Sequence, residues 1–100
     1  MNRKEECMSE GNRRVVAFLI QLRLDHGFSI KELSQLTHLS VYILKKTEEC
    51  KRLIKNNEVR RLSKVYKIRG HALNILLMDL EDDPINEEEL ERKKVNLFKC

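Results

Sequence analysis

The chain has 100 residues, with 20 Lys or Arg against 16 Asp or Glu for a formal charge of +4, and it holds one Pro, three Gly and no Trp. That length fits one domain; few breakers beside many Leu, Lys, Glu and Arg favour helices over strands; and no apolar run approaches the ~20 residues of a membrane span. Cys7, Cys50 and Cys100 are far apart and without metal-ligand spacing, and the start of the chain has no signal-peptide apolar region, so reduced thiols in a cytoplasmic protein are expected rather than a disulfide scaffold.

The charge is segregated. Residues 12–78 carry 14 Lys or Arg against 5 Asp or Glu, whereas residues 79–100 carry 4 against 8. A basic body with an acidic tail points to a polyanionic partner for the body, or simply to well-solvated basic helices. The expected organisation is a flexible arm over 1–11, a helical domain over 12–78, and an acidic linker with a C-terminal helix or tail over 79–100.

In chain order, Asn12 is a candidate cap for a first helix over about 13–26. Val15, Phe18, Leu19 and Leu22 form its buried face, Val16 and Ile20 a second apolar edge, and Gly27 its stop. Ser29-Ile30-Lys31-Glu32 reads as a capping box, in which Ser29 and Glu32 each bond the other's backbone N–H. It starts a helix over Ile30 to about Leu36, with Leu33 and Leu36 facing inward and Thr37-His38-Leu39 as the break. Ser40 caps a third helix, Val41 to about Glu49, with Leu44 inward. Residues 50–56 form a basic loop. Asn57 is the expected cap of a fourth helix with Val59, Leu62, Val65 and Tyr66 on one face. Gly70 bends the chain into a fifth helix carrying Leu73, Ile75, Leu76 and Leu77. Pro84 ends it, and Asn86 caps a last helix with Glu87, Glu88 and Glu89 at its N-terminus and Arg92, Lys93 and Lys94 further on, as the helix dipole favours.

Two short capped helices separated by a three-residue break, inside a basic helical body, have the layout of a helix-turn-helix. The residues add to it: Leu22-Arg23 followed, after three intervening residues, by Gly27, the Ser29–Leu33 start with its Glu-Leu pair, and Ser40–Glu48 ending in Glu. From Val15 to about Leu77 the chain resembles the phage-repressor type of helix-turn-helix domain (Cro-like, XRE-type). The resemblance implies an all-α, five-helix lambda-repressor-like bundle, here with a further C-terminal helix or tail. It also implies an ion pair between Arg23 and Glu48, and a recognition helix whose Val41, Tyr42 and Lys46, with Lys45 close by, face base edges. Lys31, Ser40, Lys51, Arg52 and Lys55 are then candidates for phosphate contacts. The chain departs from the family pattern at Ile30, where a polar residue is usual, in the apolar opening Val41-Tyr42-Ile43, and at Thr47 and Cys50, where a core apolar residue and Gly are usual.

The function so implied is a sequence-specific DNA-binding regulator, of the repressor kind found in phages and mobile elements. It would dimerise through helix 5 and the C-terminal segment and bind duplex DNA. The alternative is a protein-interaction module on the same fold, an antitoxin or an antagonist docking through Val41-Tyr42-Ile43; a non-specific packaging protein is a third reading. No enzyme, cofactor or metal is expected, because His26, His38 and His71 are scattered and neither a phosphate loop nor a nucleophile motif is present. Cys50 beside Lys51 and Arg52 reads as an ordinary thiol rather than a redox sensor.

Overall fold

The computed structural model describes residues 9–98, so Cys7, Cys100 and most of the expected arm lie outside the described residues. Among those described, the chain forms six helices and no strand: α1 (Glu10–Asp25), α2 (Ile30–Thr37), α3 (Val41–Glu48), α4 (Asn56–Tyr66), α5 (Ala72–Asp82) and α6 (Glu87–Leu97). None of them is long and apolar enough to cross a membrane.

The helix starts follow their side-chain caps. The Ser29/Glu32 box is closed in both directions, at 3.0 and 2.9 Å. Ser40 Oγ accepts from Ile43 N–H, and Asn86 Oδ1 from Glu89 N–H. Two expected caps are corrected. Ser9, not Asn12, starts α1: its Oγ accepts the Asn12 N–H at 3.0 Å, which takes residues 9–11 out of the expected arm and buries Asn12 in the first turn. At α4 the chain turns helical at Asn56 rather than after Asn57, because the Glu58 carboxylate reaches back to the Lys55 N–H at 2.9 Å.

The α1–α2 connection turns on Gly27, at φ +74°. Three other helix ends use side-chain-bearing residues in the same left-handed region: His38 after α2, Cys50 after α3 and Lys67 after α4, at φ 65°, 60° and 61°. Thr37 stays helical, so the three-residue break between α2 and α3 shifts by one, to His38–Ser40. The expected acidic linker from Asp79 is in part helix: α5 continues to Asp82, because Leu80 is buried and holds that turn to the core.

One apolar core joins all six helices. Val15, Phe18, Leu19 and Leu22 of α1 meet Leu33, Leu44, Val59, Leu62, Leu73, Leu76 and Leu77, and Leu97 closes it from α6. Leu22 and Leu73 are wholly buried, worth roughly 1.5–3 kcal/mol each in apolar transfer. Leu36, expected inward, is 50% exposed, because it lines an open hollow between α2 and α4 rather than entering the core. The last helix is docked on the bundle: Lys94 Nζ donates to Asp25 Oδ2 at 2.8 Å, and the Phe98 ring packs at a tilt against His26 with centroids 5.5 Å apart.

At the opposite end of α1, Arg14 Nε and Nη2 donate to the backbone oxygens of Leu80 and Glu81, at 2.7 and 3.1 Å, and satisfy carbonyls at the end of α5. Gly11 allows that approach: a Cβ there would overlap the Glu81 carbonyl oxygen, a backbone atom with little freedom to move. Ala normally gains up to ~1 kcal/mol over Gly in a helix, so the sign of Gly11→Ala tests the crossing. Urea unfolding should show a loss on the order of 1–3 kcal/mol, as for other overpacked contacts; a gain would mean that α1 and α5 do not pass so closely.

Candidate nucleic-acid interface

The middle of the chain is built around α3. Its inward side is small and specific. Leu44 and Thr47 are buried, and the Thr47 hydroxyl donates to the Ile43 carbonyl at 2.8 Å. At its C-terminal end, Glu48 receives the Arg23 guanidinium in a two-pronged contact, Nε to Oε2 at 2.8 Å and Nη2 to Oε1 at 2.9 Å. The third Arg23 nitrogen, Nη1, donates to the Phe28 carbonyl at 2.8 Å. One planar side chain of α1 thus holds both the α1–α2 connection and the end of α3. The hydrogen bond to Glu48 raises the Arg23 pKa against the opposing effect of burial, so the guanidinium stays charged.

The outward side of α3 opens with Val41 and Tyr42; Tyr42 is 68% exposed. Lys45 projects into solvent one turn on, with no carboxylate within 4 Å among the described residues. Lys46 is half-buried. Its ammonium lies 5.5 Å from the centre of the Tyr42 ring and 3.8 Å from Glu49. The same Glu49 carboxylate is 3.6 Å from Lys51. Lys31, Ser40, Lys51 and Lys55 are exposed around this helix, and Ser40 Oγ accepts the cap bond at Ile43. Val41, Tyr42, Lys45 and Lys46 therefore sit together on one short helix.

Arg52 is placed differently from the other expected phosphate contacts. Expected among the phosphate contacts, it is instead committed to the fold. Nη1 and Nη2 meet the two Glu58 oxygens at 2.9 Å each, and Nη1 also donates to Thr47 Oγ1 at 2.9 Å. Both terminal nitrogens of the guanidinium are thus engaged within the fold. Glu58 itself is only 5% exposed, and the sequence reading gave it no role. Its signal was present: an acid three residues after Lys55 at the start of a helix otherwise rich in bases. The polar residue at 47 belongs to the same network, which runs from the Ile43 carbonyl through Thr47 and Arg52 to Glu58 and the Lys55 N–H.

Behind α3, Tyr66 is buried, and its ring packs against His26 and Phe28 with centroids 4.5 and 6.1 Å away. Its hydroxyl has no hydrogen-bond partner among the described residues, and burial pushes its pKa up, so it stays a neutral phenol. His26 Nδ1 lies 2.9 Å from the Leu22 carbonyl. No group of three His, Cys, Asp or Glu among the described residues is arranged to hold a metal ion. Cys50 is half-buried.

Comparisons with protein-family models, curated proteins and solved structures gave no match to this chain.

The Arg52–Glu58 pair has a pH signature. Burial raises the Glu58 pKa, but the Arg52 hydrogen bond, the Lys55 N–H and the Arg52 and Lys55 charges together outweigh it, and the carboxyl is held below its usual range. A carboxyl with a depressed folded-state pKa stabilises in full above its unfolded pKa, and loses that contribution as the pH falls through the folded-state value. Stability measured from pH 6 to pH 2 should therefore drop less steeply in Glu58→Gln than in the parent. Arg52→Ala, which strands a buried carboxylate, should cost about 3–5 kcal/mol at pH 7. If Arg52→Ala instead left stability untouched, the guanidinium would be a free surface charge.

Proposed function

We propose that this chain is a DNA-binding regulator that reads duplex sequence with α3, on a bundle of the lambda-repressor-like kind suggested by its resemblance to phage repressors. The observation that carries this reading is the mounting of α3. It is gripped along one side by Leu44, Thr47 and the Arg23–Glu48 contact, while Tyr42 and Lys45 stand outward, with no carboxylate of the described residues paired to Lys45. A rod held from behind, with its leading side chains free, suits a major groove.

In that reading Val41 meets a thymine methyl, and Lys45 and Lys46 donate to guanine O6 or N7. Tyr42 contributes ring or hydroxyl, and its ring keeps the Lys46 ammonium close until a base edge replaces it. Lys31, Ser40, Lys51 and Lys55 take phosphates; Arg52 does not. A two-fold protein matches an inverted repeat. The exposed Ile75 and Met78, one turn apart on α5, supply apolar surface for a second copy. The regulated genes would be the chain's own and its neighbours, in a cytoplasmic setting and without catalysis or cofactor.

A second reading keeps the fold and changes the partner: the apolar opening of α3 docks on a protein, as an antitoxin or an antagonist of a regulator would. It is favoured by the exposure of Val41 and Tyr42, and by the Lys46 charge lying between Tyr42 and Glu49 rather than standing free.

Selection of bound duplexes from a random pool separates the two. A reader enriches half-sites whose centres lie about one helical turn, ~34 Å, apart. Its affinity falls with salt, at about 0.9 in log–log slope for each phosphate neutralised. Lys45→Ala with Lys46→Ala should weaken the selected site by about 1–3 kcal/mol per base contact and relax the consensus there. No enrichment, or a double variant indistinguishable from the parent, would sink the DNA reading. For assembly, sedimentation should show Ile75→Asp converting a dimer to monomers with the helical signal intact; a parent that is monomeric at every concentration would remove the α5 interface.

A further inference from the structure

Away from the outward side of α3, a hollow of about 360 Å3 lies between the end of α2 and the flank of α4. Three cations line it, Arg60, Arg61 and Lys64, all on α4 and all exposed. Other arginines and lysines of this protein are matched: Arg23 with Glu48, Arg52 with Glu58, Lys94 with Asp25. Among the described residues no carboxylate lies within 4 Å of Arg60, Arg61 or Lys64, and none lines the hollow. Arg60 and Lys64 are one helical turn apart, a spacing at which like charges repel. Arg61 has a structural duty, since its Nη1 donates to the Thr37 carbonyl at 3.2 Å at the end of α2. Among the described residues no hydrogen bond or ion pair of this sort engages Arg60 or Lys64, although Lys64 also suits the dipole in the last turn of α4.

The rest of the lining is not charged. Leu36, exposed against expectation, and Val65 give an apolar wall, and the His38 ring stands at the rim. A volume of a few hundred Å3 is the scale of small-molecule sites and exceeds what a bare oxyanion needs. Planar guanidinium groups and an ammonium suit phosphate oxygens, and the apolar wall suits what carries the phosphate. We infer that this hollow is a binding site for a phosphate ester carried on a sugar, with Arg60, Lys64 and the spare Arg61 donors on the phosphate and Leu36, Val65 and His38 against the sugar or base. The phosphate comes from a nucleic-acid strand or from a free nucleotide; the chemistry at the hollow is the same. The site does not depend on α3 reading bases.

The test uses the full chain, labelled with 15N, and the double variant Arg60→Gln/Lys64→Gln. Arg61 is left in place because it caps α2. A second double variant, Lys67→Gln/Arg69→Gln, removes the same charge outside the hollow. Adenosine monophosphate should shift the amide resonances of His38, Arg60 and Lys64, whereas adenosine at equal concentration should not. In Arg60→Gln/Lys64→Gln the nucleotide should bind at least ~10-fold more weakly, with thermal melting showing the variant folded, while Lys67→Gln/Arg69→Gln keeps parental binding. The source is read from a random duplex. If strands occupy the hollow, the log–log salt slope falls by about 2 in Arg60→Gln/Lys64→Gln, at about 0.9 per phosphate; if free nucleotide is the occupant, that slope is unchanged while the nucleotide response is lost. Three results overturn the site: no response to the nucleotide together with an unchanged duplex slope, an equal response to poly-glutamate, or equal losses in the two double variants. Failure of the α3 reading has a different sign, the absence of sequence enrichment, and leaves these resonance shifts in place.

Discussion

The contact between Arg23 and Glu48 is the constraint on which the central part of this protein rests. Its parts come from three places in the chain: a guanidinium late in α1, a carboxylate at the end of α3, and the Phe28 carbonyl between α1 and α2. Both side chains are largely shielded from water. A partly buried ion pair of this kind contributes little net stability, because desolvation offsets the attraction. What it contributes is direction. The planar fork admits one arrangement of donor and acceptor, so α3 cannot roll about its own axis without losing two hydrogen bonds at once. Leu44 on the core side and the outward residues on the other are fixed by the same geometry.

A second ionic tie works beside the first and with different elements. Arg52 and Glu58 close the loop between α3 and α4, and Thr47 links them back into α3. This explains a residue that looked misplaced. A threonine on the buried side of a short helix is a liability if its hydroxyl has no partner. Here it donates to a carbonyl one turn back and accepts from the guanidinium. The loop is basic in composition, yet its most enclosed cation serves the fold.

What the sequence made legible were features whose cause is local. Ser29 with Glu32, Ser40 and Asn86 act within one turn, and the residues alone specify those contacts. Gly27 marks a left-handed position that few other residues tolerate. The buried stripe of α1 followed from its spacing. Features whose cause lies elsewhere in the chain were hidden. Leu36 sits at a core spacing, but exposure depends on what lies across from it, and among the described residues that is an open hollow against α4. Arg52 and Glu58 are six apart across a loop, at no helical period, so the pair could not be seen until the loop was folded. The run from Asp79 read as linker because its charges drew the eye, whereas the buried Leu80 within it decided the outcome. Ser9 was passed over because the residues before it have no apolar period to announce a helix. At the candidate interface, the cluster on α3 was legible because it is contiguous in sequence, while the hollow against α4 needed α2 and α4 brought together.

His38, which ends α2, and Cys50, two residues past α3, lie in the connections on either side of α3, and both carry a β-carbon in the left-handed region. Each such residue costs about 1–2 kcal/mol relative to an ordinary conformation. Glycine would relieve that cost and, at the same time, let the backbone swing through many more angles. With a histidine in the connection before the helix and a cysteine in the one after it, neither connection has the latitude a glycine would give. The helix therefore arrives at any partner already set, and little of the free energy of docking is consumed in ordering it. The strain is spent on preorganisation, at the two joints where looseness would do most harm.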